Sequence, residues 1–281
     1  MRPTAPSEQP PQGASPAHGP GPASAPLPGA PALSLRGLVK RFGPTVAVAG
    51  IDLDIPAGSF YGVVGPNGAG KTTTLSMATG LLVPDGGRVH VHGVDLWADP
   101  LAAAPLLGVL PDGVRVFDRL TGPELLSYAG MLRGLPRDTI AARRDDLLTA
   151  LDLHGAGATL VADYSAGMTK KIALACALVH APRLLVLDEP FEAVDPVSGA
   201  AIRVILQQFV AAGGTVVLSS HVMALVERLC DHVAVVAGGR VLAAGPLDAV
   251  RAGRDLEDRF VDLLGGGRAE PELTWLRPSS A

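Results

Sequence analysis

The run Gly65-Pro66-Asn67-Gly68-Ala69-Gly70-Lys71-Thr72 has the spacing G-x-x-x-x-G-K-[ST]. Glycines at these positions let a loop close around an anion and turn successive backbone N–H groups inward. A helix opening near Lys71 would add the partial positive charge of its N-terminus. Lys71 is the expected partner of β- and γ-phosphates and Thr72 the expected Mg²⁺ ligand. The chemistry predicted is the binding of a nucleoside triphosphate.

Leu184-Leu185-Val186-Leu187-Asp188-Glu189-Pro190 is an apolar run that delivers two acids at its end. Asp188 can hold the Mg²⁺ shell, and Glu189 can orient or deprotonate an attacking water. His221 follows a third apolar run and Ser219-Ser220. Its imidazole can donate to a γ-phosphate from the same edge.

These residues require a particular frame. Phe60 to Val64, Leu184 to Leu187 and Thr215 to Leu218 are short apolar strands separated by helical stretches, the pattern of a parallel sheet covered on both faces. Ile51, Leu53 and Ile55 alternate with Asp52 and Asp54, which is strand spacing. Val89 and Val91 alternate with His90 and His92; the two histidines are read as outward side chains of a half-buried strand. Val233 to Val236 and Arg240 to Leu242 flank Gly238-Gly239 as a hairpin. Between about 97 and 170 the pattern turns mainly helical, with amphipathic segments over Pro123 to Arg133 and Asp138 to Leu151. A last helix is expected over Leu256 to Leu264.

Composition narrows the class. The chain has 281 residues, 48% hydrophobic and 18% charged, enough for a sizeable core. Net charge is -4 and aromatics are 4%, which argue against a nucleic-acid partner. Cys176 and Cys230 are the only cysteines, so a disulfide framework is excluded and a reducing cytosol is expected. Ten of the 25 prolines fall in residues 1–31, which are expected to form a disordered extension. No membrane span and no signal peptide are expected.

With the phosphate loop and the acids in place, the chain from about Leu33 to Val250 resembles the ATP-binding subunits of ABC transporters. Phe42, 23 residues before Gly65, resembles the family's adenine-stacking aromatic. Tyr164-Ser165-Ala166-Gly167-Met168 resembles its signature, Ala193-Val194-Asp195-Pro196 its D-loop, and Ser220-His221 its switch histidine. Leu256-Glu257-Asp258-Arg259-Phe260-Val261 resembles the helix that follows the domain in exporters whose membrane subunit is a separate six-helix chain.

The resemblance implies an α/β fold: a P-loop NTPase core with a mostly parallel sheet, an antiparallel β subdomain and a helical subdomain insertion. It implies an ATPase domain over 32–250, with a C-terminal helix and tail over 251–281. Glu189, His221 and Lys71 would be catalytic. Phe42, Gly65, Pro66, Asn67, Gly68, Ala69, Gly70, Lys71, Thr72 and Thr73 would hold ATP, with Ser165, Gly167 and Asp195 completing the site. Thr72, Asp188 and Asp112 would meet Mg²⁺. The implied assembly is a homodimer of ATPase subunits on a separate transmembrane permease, at the inner face of the cell membrane, driving export.

Two departures stand out. Tyr164, Ala166 and Met168 replace the Leu, first Gly and Gln of Leu-Ser-Gly-Gly-Gln, and Asp112 stands after Gly108-Val109-Leu110-Pro111 where the family has glutamine. Two other classes fit less well. ABC ATPases acting on ribosomes or DNA usually carry two cassettes or a long coiled-coil insertion. GTPases read guanine with Asn-Lys-x-Asp, a setting none of the four lysines occupies.

Overall fold

The computed structural model describes residues 30–113 and 116–266. The proline-rich extension over 1–29 and the tail beyond 266 lie outside the described residues.

In chain order the elements are β1 (Leu33–Phe42), β2 (Thr45–Ile55), β3 (Phe60–Val64), α1 (Lys71–Ala78), β4 (Gly86–Val91), β5 (Val94–Asp95), α2 (Pro100–Ala103), β6 (Leu107–Leu110), α3 (Gly122–Leu132), α4 (Arg137–Ala150), α5 (Ala166–Leu178), β7 (Leu184–Leu187), α6 (Pro196–Ala211), β8 (Thr215–Ser220), α7 (Met223–Leu229), β9 (His232–Ala237), β10 (Arg240–Pro246), α8 (Leu247–Arg251) and α9 (Leu256–Leu263). Strands β2-β1-β4-β5 form an antiparallel sheet, and β10-β9-β3-β8-β7-β6 form the central one. In the central sheet β9, β3, β8, β7 and β6 are parallel, and only β10 returns antiparallel.

The apolar strands are buried on both faces because alternate residues serve two separate cores. Phe60 and Val64 of β3, Leu185 and Leu187 of β7, and Val216 and Leu218 of β8 join the core beneath the helical layer. Tyr61 and Val63, Leu184 and Val186, and Val217 face the other way, toward α1 and the antiparallel sheet. Each fully buried side chain of this size contributes about 1.5–3 kcal/mol.

Helix starts follow local chemistry. Thr121 and Glu124 form a reciprocal capping box on α3. Ser165 caps α5 by accepting from the Met168 N–H at 3.2 Å. Asp195 caps α6, with Pro196 in its first turn.

Two expectations need adjustment. The span read as mainly helical contains β6, whose four residues pair with β7 in the central sheet; the helical layer proper is α3 to α5. The His90/His92 pair divides. His90 stays on β4, 3.9 Å from Asp95, whereas His92 turns to φ 47° past the strand end and buries an Nε2 with no hydrogen-bond partner. Burial, with Arg183 nearby, lowers the His92 pKa. The last helix forms where expected and is anchored into the body: Leu256 is fully buried, and its N–H donates to Glu227 at 2.6 Å.

Candidate nucleotide site

The parallel strands β3, β7 and β8 end on one edge of the central sheet, and the candidate residues gather there, as expected at the carboxyl ends of strands in an open α/β sheet. A cleft of about 560 Å³ is lined by Phe42, Ala47, Asn67 to Thr73, Asp112, Glu189, Glu192 and His221.

The loop after β3 depends on two of its glycines. A Cβ on Gly65 would lie 2.1 Å from the Val236 carbonyl oxygen, and one on Gly70 would lie 2.5 Å from that of Ala47. Gly70 also sits at φ 100°, a conformation that favours glycine, and it is the cap from which α1 opens. Gly239 N–H donates to Ala69 at 2.9 Å, which fastens the loop to the β9–β10 turn.

Lys71 is 6% exposed. Its Nζ donates to the carbonyls of Gly65 at 2.8 Å and Pro66 at 3.2 Å, and among the described residues it pairs with no carboxylate. A buried ammonium costs several kcal/mol unless it is compensated, and carbonyl dipoles alone leave its net charge standing. The position therefore suits an incoming anion.

Asp188 does not line the cleft but lies beneath it, 4% exposed. The Ser219 hydroxyl donates to its Oδ1 and also accepts the Glu189 N–H at 2.9 Å. Hydrogen bonds to a charged group contribute about 1.5–3 kcal/mol each, which offsets part of the desolvation of this carboxylate. Glu189 stands at φ 46°, and its Oε2 meets His221 Nδ1 at 3.1 Å.

Asp112 is exposed on the cleft rim and accepts the N–H of Gly113 at 2.8 Å. Thr72 with Asp112 at the cleft and Asp188 below it are hard oxygen donors of the kind Mg²⁺ takes. No cluster of three His, Cys, Asp or Glu side chains capable of holding a metal occurs among the described residues. That set, two carboxylates and a hydroxyl, fits an ion held by one or two carboxylates together with phosphates.

Phe42 is half exposed at the end of β1 and reaches the cleft, with Lys40 Nζ 5.8 Å from its ring centroid. Ser165, Gly167 and Asp195 do not line this cleft. Asp195 uses one oxygen to cap α6, accepting from Val197 and Ser198 N–H at 3.0 Å each. Hydrogen bonds from Ser198, side chain first, hold its carboxyl below the ordinary carboxylate range. A Cβ on Gly167 would sit 3.6 Å from Asp195 Oδ2, so the start of α5 and the turn after Glu189 are neighbours.

Four residues at the site escape sequence reasoning: Ala47, Glu192, Ser219 and Lys170. Ser219 carries a signal in the Ser219-Ser220-His221 run at a strand end. Ala47 and Lys170 carry none, because elements distant in sequence bring Ala47 to the cleft and Lys170 to the Glu189 carbonyl.

The comparisons with known proteins agree with this geometry. The family model described as ABC transporter matches residues 48–192. The daunorubicin resistance ATP-binding protein DrrA3 of Streptomyces coeruleorubidus is 36% identical over 221 residues, spanning 79% of this chain and 70% of that protein. The ABC transporter ATP-binding protein NatA of Bacillus subtilis is 37% identical over 213 residues, spanning 75% of this chain and 87% of that protein. A solved ATP-binding subunit of an ABC transporter superposes with a TM-score of 0.78 at 29% identity, covering 83% of this chain and 99% of the other. With its phosphate loop, acid-tipped strand and two-sheet architecture, the chain belongs to the ABC transporter family, as an ATP-binding subunit that hydrolyses ATP.

Proposed function

We propose that this chain binds Mg-ATP in the cleft between Phe42 and His221 and works as the motor of an exporter whose translocation path lies on a separate membrane subunit. The observation that carries this reading is the buried Lys71 ammonium, held among the described residues by the Gly65 and Pro66 carbonyls and by no carboxylate. Phe42 stacks on the base, the loop from Gly65 to Thr73 encloses the phosphates, and Thr72, Asp188 and Asp112 hold Mg²⁺. Mg²⁺ supplies charge neutralisation across the β- and γ-phosphates when bound. Glu189 takes the proton of the attacking water at its carboxylate, and His221 orients that carboxylate and donates toward the γ-phosphate.

Ser165, Gly167 and Asp195 lie outside the cleft, which supports a head-to-tail homodimer in which they complete the partner's site. Ser165 caps a helix N-terminus suited to an anion. An exposed apolar patch supports the membrane partner. Phe117, Tyr128, Met131 and Leu132 are exposed on and beside α3, with the Phe117 and Tyr128 rings edge to face at 5.3 Å. No helix among the described residues is long and apolar enough to cross a membrane. The relatives named for daunorubicin resistance and Nod factor export support the outward direction. The place proposed for the chain is the inner membrane face, held there by the permease; 32–250 are proposed as the ATPase domain.

Lys71→Ala tests the reading. Its kcat/KM for Mg-ATP is expected to fall at least about 100-fold, about 2.7 kcal/mol of transition-state stabilisation. Turnover at the wild-type rate would overturn the assignment.

A further inference from the structure

Lys170 lies on α5, five residues after Ser165. Its Nζ donates to the backbone oxygen of Glu189 at 2.6 Å, a short charge-assisted hydrogen bond. Glu189 stands at φ 46°, a left-handed backbone that a residue with a side chain adopts only when its surroundings hold it there. Those surroundings are specific. Ser219 Oγ accepts the Glu189 N–H at 2.9 Å, and the Glu189 carbonyl accepts from Lys170 Nζ on the other side. The Glu192 N–H adds a longer bond to that carbonyl at 3.2 Å. The Glu189 side chain then leaves the backbone in the direction of His221, 3.1 Å away. The peptide groups on both sides of Glu189 are thus clamped, one by β8 and the other by α5.

We propose that Lys170 is a positioning residue for hydrolysis. By holding the Glu189 carbonyl it keeps the left-handed backbone that aims the Glu189 carboxylate into the cleft. It also fastens that carboxylate to the helix whose first turn carries Ser165 and Gly167, so the two move together. A second approach of the same two segments, Gly167 beside Asp195, flanks the tie. The inference rests on the proposed role of Glu189 as the group that accepts the water proton. Without the ammonium, the Glu189 carbonyl keeps only the longer bond from Glu192, and the backbone is free to relax toward ordinary φ, which swings the carboxylate off His221.

The test compares Lys170→Met, which keeps the length of the side chain and removes the donor, with Lys170→Arg, which restores a cationic donor. Steady-state turnover of Mg-ATP by the full chain is measured first. Lys170→Met is expected to lower kcat at least about tenfold with KM within about twofold, and Lys170→Arg to recover most of the loss, as for a group that acts through the catalytic base. Hydrogen exchange gives a readout independent of turnover. Amides over 188–195 should exchange faster in Lys170→Met, while those over 65–78 stay as in the wild type. Unchanged kcat in Lys170→Met overturns the proposal. So does a loss shared by kcat, KM and melting temperature that arginine does not rescue. A wild-type chain without ATPase activity would refute the proposed function instead. The exchange over 188–195 then decides the tie alone: faster exchange confined there supports it, and unchanged exchange overturns it.

Discussion

Glu189 and His221 form a pair at the mouth of the cleft, Oε2 to Nδ1 at 3.1 Å, the carboxylate nearly enclosed and the imidazole half exposed. An ionised carboxylate only accepts hydrogen bonds, so Nδ1 carries the proton and donates. Nε2 takes no part in that bond. To donate to a phosphate as well, the ring must carry a proton on each nitrogen.

Glu189→Gln keeps the shape of this pair and removes the proposed base. ATP binding is expected to persist while turnover falls about 100- to 10,000-fold. With the base lost, Mg-ATP should hold two chains together. Light scattering at saturating Mg-ATP is expected to report a dimer for Glu189→Gln, and a monomer alone would count against the shared site.

The loop glycines differ in what they tolerate. Gly65→Ala places a methyl against a backbone oxygen that cannot rotate away, 2.1 Å from it. Overpacking of this kind costs about 1–3 kcal/mol and should displace the loop. Gly68 is at φ 77° with open space around its Cβ position, so Gly68→Ala meets only the backbone cost of about 1 kcal/mol. Thermal melts and ATP affinity of the two variants check the order; a larger loss for Gly68→Ala would refute it.

Asp112 stands on the rim with one oxygen taken by Gly113 N–H. Two like charges at about 4 Å repel by about 4 kcal/mol at an effective dielectric of about 20. Asp112 beside a triphosphate is therefore tolerable with Mg²⁺ between them, or with the side chain withdrawn until the permease docks. Asp112→Asn should leave ATP affinity nearly unchanged and shift the Mg²⁺ dependence of turnover or its stimulation by the membrane partner. Superimposable Mg²⁺ titrations and equal stimulation would assign Asp112 no part in coupling.

His180, at the end of α5, is kept neutral. Burial first, then Arg133, lowers its pKa to about 4 against the ordinary 6.5, and Arg143 adds to the effect while the bond to the Leu107 carbonyl opposes it. The folded state therefore takes up this proton less readily than the unfolded chain. Stability from this group is full above pH about 6.5 and declines as pH falls toward about 4. The melting temperature of the wild type should drop through that window, and His180→Gln should flatten the drop. Parallel pH profiles for the two proteins would exclude His180 as the source.

The phosphate loop was legible in the sequence because its chemistry is contiguous. Gly65 to Thr72 lie side by side, and the spacing alone tells where N–H groups, ammonium and hydroxyl will converge. Strand types were legible for the same local reason: apolar runs of four or five residues in β3 and β7. The hydrophobic pattern could not say which strand lies beside which, since a strand buried on both faces looks alike in any sheet position. The order β9-β3-β8-β7-β6 is what sets the Glu189 backbone against Ser219, brings Asp112 to the cleft and puts Asp188 under it. Packing of α5 beside the end of β7 decided that Lys170 reaches the Glu189 carbonyl, across 19 residues of chain. Hydrogen bonds between segments that far apart depend on the relative placement of whole elements, a property of the collective core that no local spacing of residue types encodes.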